Sequence, residues 1–196
     1  FDRLPHVLKG GERHLLMSPM PLWRSLQLHT LNDAGRSASR ARMRTLYGPI
    51  LGELDKRGSA SDEERLTRMS LINVLAFDGR DPQLREKLTK QAIAFTGYGA
   101  DGQLHREKLD VNLVNTALRV AAQDADPQFA LDLVGRLKDT SDSVLRFAIL
   151  DAVGGATDAT LSQRLALDEA IRGDDYLNLL GSMFGPEQAE RNWPWL

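Results

Sequence analysis

Apolar residues recur along this chain with the spacing of one helix face. Ala130, Leu133, Val134 and Leu137 sit at i, i+3, i+4 and i+7, and Leu145, Ala148, Ile149 and Ala152 repeat that template about fifteen residues further on. Each stretch carries its own start signal, Asp126-Pro127 for the first and Ser141 for the second, and Gly154-Gly155 stops the second. A short helix with one apolar stripe must bury it on a neighbour, so a series of such helices predicts a stacked array.

The same reading extends over most of the chain. A turn at Gly10-Gly11 and prolines at Pro19 and Pro21 precede a short helix over 22–31, which Asn32-Asp33-Ala34-Gly35 ends. A longer helix follows over about 36–56, with Met43, Leu46, Tyr47, Ile50 and Leu54 on one side. Gly48-Pro49 inside it is expected to kink or break it, because proline lacks the N–H and clashes with the preceding turn. Ser61 and Glu64 form a capping box before a helix that buries Leu66, Met69, Ile72 and Ala76 and ends near Asp78-Gly79. Asp81-Pro82 opens the next, with the stripe Leu84, Leu88, Ala92 and Phe95. After a loop over 97–102 comes a helix with Val111, Val114, Leu118 and Ala121, and then the two template helices. Weaker helices are expected over 157–168, over 174–184 and from Pro186 onward.

No segment alternates as a half-buried strand does. The expected class is all-α, a HEAT/armadillo-like right-handed superhelical array of about nine or ten short antiparallel helices. Residues 1–21 are read as a linker or partial helix from an upstream region, and 22–196 as one helical-repeat domain. The helices vary in length and are not close copies, which favours a degenerate array over ankyrin or tetratricopeptide repeats.

Composition leaves this picture unchanged. The hydrophobic fraction is 42% and the charged fraction 27%, and 25 basic against 27 acidic residues give a net charge of −2. No field of that size argues for nucleic acid. No apolar run approaches roughly 18 residues, so no membrane span is expected. Cysteine is absent, which removes disulfides, thiolate zinc sites and cysteine nucleophiles. The expected setting is soluble, cytoplasmic or periplasmic.

Candidate chemistry is sparse. His6, His14, His29 and His105 include no pair four residues apart, so no helix face presents two metal ligands. Gly97-Tyr98-Gly99-Ala100-Asp101-Gly102 spells G-x-G-x-x-G, but a dinucleotide loop needs a strand before it and a helix opening within it. These glycines read instead as a helix stop and a turn. Arg36, Arg40 and Arg44 share a helix face with Arg42 nearby, and read as a solvated face. Asp62-Glu63-Glu64 and Asp174-Asp175 suit the positive ends of helices, and Asp110 lies near Glu107. No serine lies in a G-x-S-x-G elbow. Trp23, Trp193 and Trp195 read as packing anchors.

Several segments, in order, resemble the C-terminal helical domain of the aminopeptidase N-like zinc metallopeptidases, typified by the endoplasmic-reticulum aminopeptidases. Leu22-Trp23-Arg24-Ser25-Leu26 is similar to a W-R-x-L opening. The stretch from Tyr47 through Pro49 to Leu54 is similar to a long helix with a proline before L-x-x-L. Residues 64–75, Asp81-Pro82 with Ala94-Phe95, Leu109 to Ala121 with Asp126 and Phe129, and the Trp193-Pro194-Trp195-Leu196 tail resemble successive later steps. The resemblance spans about 22–196. It implies a domain that caps a catalytic domain of the same parent chain and shapes a chamber for peptide substrates. The family's H-E-x-x-H helix and G-x-M-E-N loop do not occur here, and Gly181-Ser182-Met183-Phe184-Gly185 only echoes the second. No catalytic, cofactor-binding or metal residue is therefore assigned. The isolated chain is expected to be inactive and without a cofactor, and zinc belongs to the parent aminopeptidase, a hydrolase. Phe1 and Leu196 are read as cuts within that longer protein. The alternative expectation is a free-standing helical-repeat scaffold for protein–protein interaction.

Overall fold

A computed structural model of the chain describes residues 13–58, 61–168, 171, 173–185 and 188–195. Residues 1–12, with His6 and the Gly10-Gly11 turn, lie outside the described residues, as do Pro186 at the start of the expected last helix and Leu196. Among the described residues the chain is all-helical and has no strand. It divides into two compact units, Phe1–Leu84 and Arg85–Leu196.

In the first unit, α1 (Arg13–Met17), α2 (Met20–His29), α3 (Asp33–Arg57) and α4 (Asp62–Asn73) surround a core of Leu16, Met20, Trp23, Met43, Tyr47, Leu71 and Ile72. Trp23 is buried as expected, and its indole N–H donates to the Ser39 hydroxyl on α3. The Tyr47 hydroxyl donates to the Leu16 carbonyl at 2.9 Å, satisfying a polar group that has no access to water.

Three expectations change here. Asn32 does not end α2; its side chain accepts from the Gly35 N–H at 2.9 Å and caps α3, which starts at Asp33. Gly48-Pro49 does not break α3, which runs unbroken to Arg57. Pro49 lies on the exposed side, where the Thr45 carbonyl it leaves unbonded can be hydrated. The capping box at Ser61 and Glu64 is present, but Leu66 is 45% exposed and Thr67 is buried in its stead. The α4 helix passes into a π-helical turn, Val74–Asp78, whose Gly79 N–H reaches back to the Val74 carbonyl at 2.8 Å. The wider turn buries Leu75 and Ala76 together, off the regular stripe.

In the second unit, α5 (Pro82–Thr96) is followed by 3-10 turns at Arg106–Lys108 and Val111–Leu113. Then come α6 (Val114–Asp124), α7 (Pro127–Leu137), α8 (Ser143–Gly154), α9 (Ala159–Ala166), α10 (Gly173–Met183) and α11 (Ala189–Asn192) with a 3-10 turn at Trp193–Trp195. The helices α6, α8 and α10 pack side by side in one layer, and α7 and α9 lie beside them in a second. All four residues of the second template are buried. Of the first, Ala130, Leu133 and Leu137 are buried and Val134 is partly so. Val111 is 70% exposed, because the 3-10 turn takes it out of register with Val114, Leu118 and Ala121.

Caps are local. Asp81 accepts from Leu84 N–H, Asp126 from Gln128 and Asp158 from Thr160. At α8 the cap is Asp142, one residue after the expected Ser141, and it accepts from Val144 and Leu145. The side-chain hydrogen bond from Arg106 is the main cause holding the Asp142 carboxyl below the usual range, with the helix N–H groups adding to it.

Three arginines stitch the first layer. Arg85 of α5 grips Asp124 of α6 through Nε at 2.7 Å and Nη2 at 2.6 Å. Arg119 of α6 reaches Asp151 of α8 at 3.4 Å, and Asp151 also accepts from the Ser182 hydroxyl of α10. Arg146 of α8, 3% exposed, pairs with Asp175 of α10 and donates to the Leu137 and Thr140 carbonyls. Asp175 thus adds a buried ion pair to its place in a helical first turn. Gly154 lets α8 and α10 approach: a Cβ there would lie 2.6 Å from Ser182 Cβ and 3.0 Å from the Leu179 carbonyl.

Two outcomes follow. Arg146→Ala removes the guanidinium that balances the buried Asp175 carboxylate and should cost about 3–5 kcal/mol, whereas Asp175→Asn should cost less because Arg146 keeps its two carbonyl acceptors; urea unfolding midpoints measure both. Burial first, and the Asp78 carboxylate second, push the Tyr47 hydroxyl up to about 12. A raised folded-state value means that its contribution to stability is full below the unfolded tyrosine value of about 10 and is lost as pH rises through about 12. Tyr98, which bonds Asp126, is also shifted upward, so absorbance at 295 nm should show the last-titrating tyrosine step disappear in Tyr47→Phe while the Tyr98 step remains.

Candidate functional site

The residues singled out in the sequence do not converge. Among them, His14 and His29 are exposed and separate. His105 Nε2 lies 3.1 Å from both Asp101 carboxylate oxygens, and Nδ1 is 3.8 Å from Glu107, so this histidine closes a surface turn. Among the described residues no group of three or more His, Asp or Glu is placed to hold a metal ion. No helix among them is long and apolar enough to cross a membrane.

The G-x-G-x-x-G segment follows α5 directly, and no helix opens within it. Gly97 has φ +62°, and the Tyr98 N–H returns to the Ile93 carbonyl at 3.2 Å, the pattern of a left-handed helix stop. A Cβ on Gly97 would lie 2.4 Å from Asp101 Oδ1 and 2.6 Å from the Gln103 carbonyl. At Gly97 the loop is folded against its own Asp101 and Gln103.

The arginine face on α3 is partly internal. Arg36 donates to the Leu31 carbonyl and Asp33, and Arg44 to the Gly79 carbonyl at 2.6 Å. Arg42 is exposed. Glu63 meets Arg13 at 3.3 Å on the surface. Met183 of the Gly181-Ser182-Met183 echo is fully buried in α10, not on a binding loop. Trp193 departs from the expected packing role: it is 70% exposed and touches Phe184 edge-to-face at 6.3 Å.

The site that the fold does assemble was not foreseen. A cavity of about 460 Å³ opens in the second unit between the end of α6, the start of α7 and α9. Ala122, Ala125 and Ala156 form a floor of methyl groups. Leu131 on α7, 46% exposed, and Leu161 on α9 form apolar walls. A volume of this size suits a short peptide or small ligand.

Most polar groups at the rim are already engaged. Gln123 Nε2 donates to the Gly155 carbonyl at 2.9 Å while its Oε1 accepts from Arg85 at 3.0 Å. The Thr157 hydroxyl donates to the Gln123 carbonyl at 3.2 Å, and the Thr157 carbonyl accepts from Arg191. The Asp158 carboxylate caps α9 through Thr160 N–H at 2.9 Å. Arg164 differs: it is exposed, lines the cavity, and its guanidinium makes no hydrogen bond or ion pair with any described residue. Alanines give no chemical signal in a sequence, and Ala122 and Arg164 are brought together only by the stacking of α6, α7 and α9. The sequence signal that was present is the pair Arg119…Asp124 and Arg146…Asp151, the same R-x-x-x-x-D twice, which marks the stitched layer behind this groove.

No protein-family model, no curated protein and no solved structure matches this chain.

A functional phosphate loop and a structural helix stop respond differently to substitution. Gly97→Ala combines a left-handed backbone, which costs an L-residue about 1–2 kcal/mol, with steric overlap. Gly99→Ala carries only the backbone cost, since nothing lies within 4 Å of its Cβ position. Thermal unfolding should therefore show a clearly larger drop for Gly97→Ala.

Proposed function

We propose that this chain works as a non-catalytic helical accessory domain, the C-terminal cap of an aminopeptidase N-like zinc metallopeptidase, which shapes the space where peptide substrates are held. The observation that carries the binding role is the open groove beside Leu131 and Arg164, backed by a layer of helices joined by buried and part-buried ion pairs. The assignment to that peptidase family rests on the ordered segments from Leu22 to the terminal tryptophans. A HEAT/armadillo-like superhelix is the arrangement this reading implies, because such arrays present an extended concave surface for a partner. Peptides and the catalytic domain of the parent chain are the partners, and zinc and the hydrolytic residues belong to that domain.

The second reading is a free-standing scaffold that binds another protein. It is favoured by exposed apolar side chains on the second unit, with Leu167 76%, Leu177 75% and Trp193 70% exposed.

The coding sequence ahead of Phe1 separates the two. The peptidase reading expects an H-E-x-x-H helix a few hundred residues upstream in the same frame, and a stop codon close to Phe1 would leave only the scaffold. The isolated chain should also release no amine from a chromogenic amino-acid amide and should retain no stoichiometric zinc after dialysis. Turnover with bound zinc overturns the non-catalytic assignment.

A further inference from the structure

The strongest unexplained feature is the charge balance of the groove. Its lining contains one carboxylate and one cation, Asp158 and Arg164. The carboxylate is committed to the N-terminus of α9, which supplies it with a hydrogen bond and an opposing dipole. The guanidinium has no partner among the described residues. The lining is formally neutral, but of its two charged groups only the Arg164 guanidinium is left to pair with a ligand, at the edge of a methyl-lined floor. Thr157, Asp158, Thr160 and Arg164 are all exposed, so the groove is open along its rim and a chain can pass through it.

We infer that the groove binds an internal peptide segment carrying an acidic side chain next to a small apolar one, with Arg164 pairing the carboxylate and Leu131 and Leu161 covering the apolar neighbour. This inference rests on the peptide-binding role proposed above. An arginine suits that task because its planar fork takes a carboxylate in two hydrogen bonds.

The test uses the full 196-residue chain and the peptide amide Ala-Leu-Glu-Ala-amide with its Gln counterpart, each carrying fluorescein on the N-terminal amine so that both ends are blocked, read by fluorescence anisotropy. The Glu peptide should bind about five-fold tighter, as expected for an ion pair that keeps one side in water. The preference should shrink at high salt, vanish in Arg164→Gln and return in part in Arg164→Lys. Circular dichroism confirms that these surface variants stay folded. Equal binding of the two peptides, or a preference that survives Arg164→Gln, overturns the role of Arg164 while leaving peptide binding intact. Binding that appears only with a free C-terminal carboxylate overturns the side-chain assignment. If no peptide binds at any concentration tested, both this inference and the peptide-binding role fail.

Discussion

The second unit depends on arginine–aspartate pairs between neighbouring helices, of which Arg146–Asp175 is buried and the other two are partly so. Short helices with stripes of Ala, Val and Leu can pack in more than one register, because one apolar contact costs much the same as another. A buried guanidinium removes that freedom. With Asp175 in reach, Arg146 has three acceptors; shifted by one turn, it would be desolvated and unpaired, at a cost of several kcal/mol. Arg85 with Asp124 and Arg119 with Asp151 repeat the device on successive neighbours. Each of α6 and α8 therefore carries an aspartate facing backward along the layer and an arginine facing forward.

The elements that local chemistry determines were legible in the sequence. Ser61 with Glu64, Asp81-Pro82 and Asp126-Pro127 mark helix starts because a cap involves only residues two or three apart. Gly97 and Gly155 mark stops for the same reason. What failed was the extension of regular periodicity across an irregular turn. The π turn at Val74–Asp78 and the 3-10 turn at Val111–Leu113 shift the stripe, so Leu75 and Ala76 are buried together and Val111 is exposed, while within α4 itself the buried face runs through Thr67 and Leu71 and leaves Leu66 outside. Pro49 does not end α3, because the helix continues to Arg57 on the contacts of Met43, Tyr47 and Leu51 to the core.

The groove was illegible for a different reason. Its floor is alanine, and its one free charge looks like any surface arginine until α9 is laid beside α7. The arginine–aspartate pairs were hidden by the usual rule that charged residues face water. The repeat of R-x-x-x-x-D at Arg119 and Arg146 shows that a conflict between charge and helical register can itself be the signal. Trp193 marks the opposite failure, an aromatic side chain expected in packing that stands 70% exposed.

Groove and stitched layer meet at Gln123. Its amide is held at both ends, by Arg85 on one side and the Gly155 carbonyl on the other, so the residue that borders Ala122 cannot rearrange without breaking the layer behind it. Asp158 is fixed as a cap, and Thr157 is bonded through both its hydroxyl and its carbonyl. A groove held this way loses little conformational entropy when a ligand enters. It also cannot adapt its floor to side chains of different shape, as loop-rich or methionine-rich surfaces do. Selection among ligands then falls to the groups not already bonded within the groove, the Arg164 guanidinium and the half-exposed Leu131. Charge at one edge and apolar cover at the other make an acidic residue beside a small apolar one the complement that this geometry favours.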